Sequence, residues 1–382
     1  MKLFGKILAS FIGIIALTIA LAYAFGYGYL VKAVWVTYLH GHNTAYLADY
    51  EHFDNHVIAH EKGQPWAIAN ADNKINLPDS LRDFHQDIKS IAYLIIHRDT
   101  IILEEYFDGY QVDSKSNSFS MAKSVVAAIL GRAISEDKIK SIDQKIADYI
   151  PEIQGEFASD LTFRDLVTMS SGMKWSEDYY SPSSITTKLY FDGDIQSVMN
   201  TLPIYQAPGK KFIYQSGDTQ LLGIAIQRAT GKSLSTLLSD YFWKPMGAEH
   251  DALWQVDSEE QGIEKAYCCI ASNARDFARF GKLYRDHGTW NGDQLLDSSY
   301  VAQSQTPRFS DSPEYGYGWW MGDFQGKPYF YMNGHLGQYV ITIPEDDLMI
   351  VRLGHQTDKL SASNPKSNFY RFIQHTYQLL EK

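Results

Sequence analysis

Strand-like segments lie at both ends of this 382-residue chain, and the long stretch between them is helical in pattern. Ser90–Ile96 and Thr100–Phe107 are rich in β-branched and apolar residues and flank the polar turn His97-Arg98-Asp99, as in a hairpin. Tyr329–Tyr331, Gln338–Ile343 and Leu348–Leu353 are again strand-like, and Pro344-Glu345-Asp346-Asp347 turns between the last two. In the middle, a helix is predicted from about Ser120 to Ile134, with Val125, Ile129 and Ala133 on one apolar face. A second starts at the capping pattern Thr162-x-x-Asp165 and stops at Ser171-Gly172. Others span about 218–230 and 273–286, ending at Gly231 and Gly288, and an amphipathic helix at 368–381 closes the chain. The order strands, helices, strands, helix predicts an α+β fold. The distant strands then share one mainly antiparallel sheet, flanked by helices and set beside a helical region.

The N-terminus adds a separate element. Lys2 and Lys6 precede an uncharged apolar run from Ile7 to Leu30, broken by Lys32. At about 1.5 Å per residue, a run of this length crosses the roughly 30 Å hydrocarbon core. Ala20-Leu21-Ala22 and Ala22-Tyr23-Ala24 have the form of signal-cleavage sites, but the length favours an uncleaved transmembrane helix. The preceding lysines place the rest of the chain outside the inner membrane of a bacterium, in the periplasm where there is one. The chain then divides into an anchor or signal (1–31), a juxtamembrane prelude (32–80) and a main domain (81–382).

Composition excludes some classes. With 45% hydrophobic and 21% charged residues, the chain fills a core and is not a disordered polymer. A net charge of -11 argues against a nucleic-acid partner. The two cysteines, Cys268 and Cys269, are adjacent and are expected to be reduced and buried, because a bond between neighbours needs strained geometry. In the prelude, His52, His56 and His60 have the spacing of one helical face. Phe53-Asp54-Asn55 and Pro65 argue against a long helix there, so no metal site is expected.

Four segments fit S-x-x-K, starting at Ser120, Ser135, Ser171 and Ser363. Ser363-Asn-Pro-Lys is loop-like, Ser135-Glu-Asp-Lys is a polar helix end, and Ser171-Gly-Met-Lys is a helix stop. Only Ser120-Met-Ala-Lys123 sits where an extended segment enters a strongly apolar helix. A serine there meets free backbone N–H groups and the positive end of the helix dipole. A lysine three residues later shares its face, and burial lowers the lysine pKa until it can act as a base.

Further segments follow in order: Thr162-Phe-Arg-Asp-Leu-Val-Thr-Met-Ser-Ser-Gly172, Pro208-Gly-Lys-Lys-Phe-Ile-Tyr214-Gln-Ser216-Gly-Asp218, Ala274-Arg-Asp-Phe-Ala-Arg-Phe-Gly281 and Asn333-Gly-His335-Leu-Gly337-Gln338. With Ser120 and Lys123, the series resembles the serine β-lactamase and penicillin-binding-protein superfamily over residues 80–380. It is most similar to the class C-related esterases, amidases and 6-aminohexanoate-dimer hydrolases. The resemblance implies a β-lactamase-like fold and an enzyme that cleaves a small ester or amide through an acyl-enzyme on Ser120. Lys123 and Tyr214 would be the proton-transfer partners, and the backbone N–H groups of Ser120 and Gln338 the oxyanion hole. Ser216, His335, Gly337 and Tyr179 would line the substrate site.

One departure matters. The superfamily's Lys-Thr-Gly motif reads His335-Leu336-Gly337 here, removing the lysine and hydroxyl that hold a substrate carboxylate. D,D-peptidase or β-lactamase activity is therefore the alternative reading, and a non-catalytic penicillin-binding-like sensor a third. No metal or organic cofactor is implied, since the chain lacks G-x-S-x-G, H-E-x-x-H, P-loop and G-x-G-x-x-G patterns.

Overall fold

Both ends of the chain contribute to one sheet in the computed structural model, which describes residues 2–312, 314–360 and 364–381. Ser363 lies outside the described residues. In chain order, the apolar helix α1 (Lys2–Ala24) is followed by α2 (Gly28–Val36), strands β1 (Asn55–Ile58) and β2 (Ala67–Ile68), and α3 (Asp79–Asp87). Next come the hairpin β3 (Ser90–His97) and β4 (Thr100–Tyr106), the short β5 (Ser116–Asn117) and α4 (Ala122–Ser135). The helical middle holds α5 (Phe163–Val167), α6 (Ile185–Phe191), α7 (Ile195–Asn200), α8 (Ser216–Thr230) and α9 (Leu234–Leu238). Then come β6 (Ala252–Gln255), β7 (Ile270–Ser272), α10 (Ala274–Arg285), β8 (Thr289–Trp290), β9 (Asp293–Gln294) and α11 (Ser298–Ser304). The chain ends with β10 (Trp320–Phe324), β11 (Lys327–Gly334), β12 (Gln338–Ile343), β13 (Leu348–Gly354) and α12 (Asn368–Leu380).

The main sheet has the order β10-β11-β12-β13-β3-β4-β2. All neighbours are antiparallel except the two-residue β2, which runs parallel to β4. Thus the N-terminal hairpin pairs with the last C-terminal strand, as the strands–helices–strands order predicts. The side chains alternate between two cores, as a pleated strand requires. Tyr93, Ile95, Ile341 and Ile350 pack with Phe369 and Phe372 of α12. Leu94, Ile96, Val340 and Val351 face the larger core of the helical region. Both faces are covered, which explains why these strands read as nearly continuous apolar runs.

A second sheet, β1-β6-β7-β5, lies beside the first and is antiparallel throughout. Its first strand comes from the prelude, so that segment is structurally part of the body. The prelude is also tied in by Asp49, fully buried and accepting hydrogen bonds from Tyr190 Oη at 2.6 Å, Asn117 Nδ2 at 3.0 Å and Gln255 Nε2 at 3.1 Å. His52, His56 and His60 do not share a face. His52 ends a short 3-10 turn, whereas His56 lies in β1 beside Glu264 and His60 beside Asp251.

The cysteine expectation is overturned: Cys268 and Cys269 form a disulfide between neighbours. A left-handed φ of 76° at Cys269 turns the chain so that the two sulfurs meet. Both residues are buried, as expected.

Candidate active site

Ser120 sits at the entrance to α4, in a one-turn 3-10 segment, Phe119–Met121, that winds directly into the helix. Phe119 carries a φ of 45°, a conformation costly for an aromatic residue and typical of backbone held in place by its surroundings. Those surroundings are visible. β5 pairs with β7, Ser118 N–H donates to Ile270 O at 2.7 Å, and Phe119 N–H donates to Asn117 Oδ1 at 2.9 Å. On the other side the end of β11 comes so close that a Cβ on Gly334 would lie 2.3 Å from Ser118 O. Glycine is required there by contact alone.

The buried α4 aligns Lys123 with Ser120 on one face, as the three-residue spacing predicts. Lys123 Nζ donates to Ser120 Oγ at 2.9 Å, Ser216 Oγ at 3.1 Å and Tyr267 O at 3.0 Å. Burial lowers its pKa to about 8, although the negative charge of Glu177 opposes the shift. The three acceptors match the three protons of an ammonium. Loss of one proton frees a lone pair to receive the Ser120 hydroxyl hydrogen, so this lysine can exchange a proton with Ser120 near neutral pH.

Tyr214 lies one residue before the cap of α8, and its ring centroid is 5.0 Å from Lys123 Nζ. Burial, reinforced by Glu177, pushes the phenol pKa well above its ordinary value, so the group is a protonated donor over the working pH range. The Ser120 hydroxyl lies close enough to offset part of that upward shift. Ser216 opens α8 at the same site.

Glu177, which sequence reasoning did not single out, joins four donors. Ser216 N–H and Trp175 Nε1–H donate to Oε2 at 2.7 and 2.6 Å, and Ser216 Oγ–H donates to Oε1 at 2.5 Å. The Tyr179 hydroxyl also donates to Oε1. The legible signal was a carboxylate set between Trp175 and Tyr179, each with a hydrogen to give. Tyr267, another residue that sequence reasoning missed, offers Lys123 its carbonyl. Its own hydroxyl is buried without a partner among the described residues, and it lines the cleft over Ser120.

The expected substrate residues separate into two groups. Ser120, Ser216, Tyr179 and His335 line one cleft together. The His335 ring stacks obliquely near Tyr179, with centroids 5.4 Å apart, and its Nε2 has no partner among the described residues. Burial drops its pKa to about 4, so it is neutral at pH 7 and is not a cation for a carboxylate. Gly337 has a different place. Its φ is 83°, and an added Cβ would meet Arg352 Nη1 at 2.5 Å, so the missing side chain makes room for Arg352 rather than for a ligand. That buried arginine donates to Leu336 O and Gly337 O, both at 2.9 Å, and braces the turn leading to Gln338. Gln338 opens β12, which adjoins the Ser120 turn.

Two of the other S-x-x-K serines, Ser171 and Ser135, are engaged structurally. The Ser171 hydroxyl donates to the buried Asp218, and Ser135 Oγ–H donates to Gly131 O of its own helix at 3.1 Å. Among the described residues, no group of three or more His, Cys, Asp or Glu is placed to hold a metal.

The β-lactamase family profile matches residues 61–368. The chain is 27% identical over 235 residues to a 6-aminohexanoate-dimer hydrolase of Paenarthrobacter ureafaciens, a match covering 59% of this chain and 59% of that relative. In fold it is similar to an octameric penicillin-binding protein homologue from Pyrococcus abyssi, with TM-score 0.60, 18% identity, and coverage of 80% of this chain and 76% of that one. It is also similar to a family VIII carboxylesterase, with TM-score 0.60, 18% identity, and coverage of 79% and 96%.

Proposed function

The chain belongs to the β-lactamase family, and from that premise we propose that it is a serine hydrolase cleaving a neutral ester or amide through an acyl-enzyme on Ser120. The observation that carries this reading is the buried Lys123, 2.9 Å from Ser120 Oγ with its pKa lowered to about 8. Neutral Lys123 takes the hydroxyl proton as Ser120 Oγ bonds to the carbonyl carbon. The N–H groups of Ser120 and Gln338 receive the developing oxyanion. The carbonyl re-forms as the bond to the leaving alkoxide or amine breaks, and Tyr214 supplies its proton and recovers one from Lys123. Water then repeats the steps in reverse roles and releases the acid.

The departure at His335-Leu336 supports esters and amides over β-lactams and D-alanyl peptides. A neutral imidazole gives no charge to a substrate carboxylate, but its Nε2, without a partner among the described residues, offers a neutral carbonyl or amide one hydrogen bond. In this reading the catalytic unit begins at α2, because the prelude supplies β1 and Asp49 to the body. The helix α1 is its single-pass anchor, with the catalytic unit outside the inner membrane; its residues Leu3–Ala24 are apolar and long enough to span a bilayer.

The test compares the full chain in detergent with its Ser120→Ala variant on p-nitrophenyl butyrate. The expected result is a loss of at least a hundredfold. Equal rates in the two proteins would remove Ser120 from the mechanism, and stable labelling by a fluorescent penicillin would favour the D,D-peptidase alternative.

A further inference from the structure

The cleft over Ser120 has two walls of different origin. One is the catalytic body, through Tyr179, Tyr267 and His335. The other is the segment that follows the anchor: Ala33 and Thr37 at the end of α2, Tyr38 just beyond it, and Asn43–Ala45. α2 is seated on α6, so this wall is fixed to the body.

The distance of that wall from the membrane is limited by covalent geometry. The apolar span covers 22 residues, Leu3–Ala24, about 33 Å of helix and enough for the hydrocarbon core. Only Phe25, Gly26 and Tyr27 separate it from Gly28, the first residue of α2. Fully extended, the steps from Ala24 to Gly28 reach about 14 Å. The start of α2 therefore lies in or beside the headgroup layer, whatever angle the body adopts.

The exposed side of this segment suits that layer. Val34, Trp35, Tyr38 and Leu39 are 47, 46, 65 and 71% exposed, and their spacing puts them on one side of α2 and the turn that continues it. Phe25 and Tyr27 in the linker are 73 and 53% exposed. Aromatic residues in this position form an interfacial belt, and a contiguous apolar surface of this kind marks a contact with something apolar. Tyr180, on the body side of the same cleft, is 66% exposed. α2 thus presents Val34 and Trp35 outward and the smaller Ala33 and Thr37 to the cleft, while Tyr38 in the following turn borders the cleft and is also exposed.

Resting on the hydrolase reading, we propose that the substrate is a membrane-borne amphiphile. Its ester or amide lies at headgroup depth, and its acyl chain passes from the bilayer along α2 into the cleft over Ser120. The anchor then sets the depth of the active site as well as its location.

The test uses the full chain reconstituted in phosphatidylethanolamine–phosphatidylglycerol vesicles. The probes are p-nitrophenyl palmitate dissolved in the bilayer and p-nitrophenyl acetate in the buffer. The expected ratio of long-chain to short-chain turnover is at least ten. It falls at least fivefold in Leu39→Asp, which puts a charge on the outward face, and in Ala33→Trp, which fills the cleft wall. Independently of turnover, brominated lipids quench part of the tryptophan fluorescence, and that part disappears in Trp35→Phe. Serine-dependent turnover of acetate with a ratio of one or below, or ratios unmoved by both substitutions, would overturn the inference and leave the hydrolase reading standing. Absence of bromolipid quenching at Trp35 would also overturn it. Turnover of neither ester, or turnover unaffected by Ser120→Ala, would sink the hydrolase reading and the inference with it.

Discussion

Glu177 and Ser216 are joined twice, through the serine N–H at 2.7 Å and its hydroxyl at 2.5 Å. The hydroxyl hydrogen of Ser216 is thereby committed to the carboxylate, and its oxygen is left to accept from Lys123 at 3.1 Å. The carboxylate thus fixes the direction of the bonds around the lysine. It also supplies the negative charge that keeps the Lys123 pKa from falling further under burial.

Glu177→Gln separates these two effects. Removing the charge favours the neutral amine, so the pH at which Lys123 loses its proton moves below about 8. The rising limb of kcat/KM against pH is expected to shift to lower pH. The plateau should fall about tenfold or more, because an amide can donate to Ser216 and loosen its position. An unmoved limb would show that Glu177 is only a structural brace.

In the unaltered protein, kcat/KM is expected to rise with pH and to bend near 8. Below that pH Lys123 is an ammonium and has no lone pair for the Ser120 proton; above it the neutral amine predominates. Tyr214 gives no competing limb at lower pH, since burial moves its phenol upward. His335 is already neutral above about 4 and gives no step between pH 5 and 7. A profile measured with a soluble ester checks this, and an inflection near 6 would contradict the environment of His335.

Lys123→Met and Tyr214→Phe test the two proton carriers. Each is expected to lower kcat by roughly 10²- to 10⁴-fold, the usual contribution of a positioned acid or base. The losses should not multiply in the double variant, because both groups move the same proton to and from Ser120. Independent, multiplicative losses in steady-state assays would show that Tyr214 acts separately from the lysine.

The pairing of Ser120 with Lys123 was legible because its geometry is local, whereas Tyr214 was reached only through the family resemblance. Ser120 and Lys123 are one helical turn apart, and the helix itself is marked by Val125, Ile129 and Ala133. The hairpin β3–β4 and strands β12 and β13 were equally readable, since both of their faces are buried and their apolar runs are long. The missed features are long-range or short. Glu177 reaches Ser216 across 39 positions of sequence, with only its aromatic neighbours as a hint. β1 pairs with β6 through four residues, too few for a periodic pattern. The cysteine expectation used the strain of a bond between neighbours, but the left-handed turn at Cys269 depends on tertiary context that no local pattern announces.

Asp49 tests whether the prelude belongs to the catalytic unit. It is fully buried, and burial raises its carboxyl pKa despite the hydrogen bonds from Tyr190 and Asn117. Asp49→Ala removes the common acceptor of Tyr190 Oη, Asn117 Nδ2 and Gln255 Nε2, leaving buried donors without their partner. It also withdraws the negative charge near the buried Lys265, whose own pKa is pulled down by burial. Each buried donor left without its partner costs about 1–3 kcal/mol. The expected result is a large fall in the urea midpoint of the full chain, with cooperative unfolding of the whole body. Activity should fall too, because Asn117 also accepts the Phe119 N–H that holds the Ser120 turn. A variant that keeps its midpoint would show that the prelude is a passive spacer between anchor and enzyme.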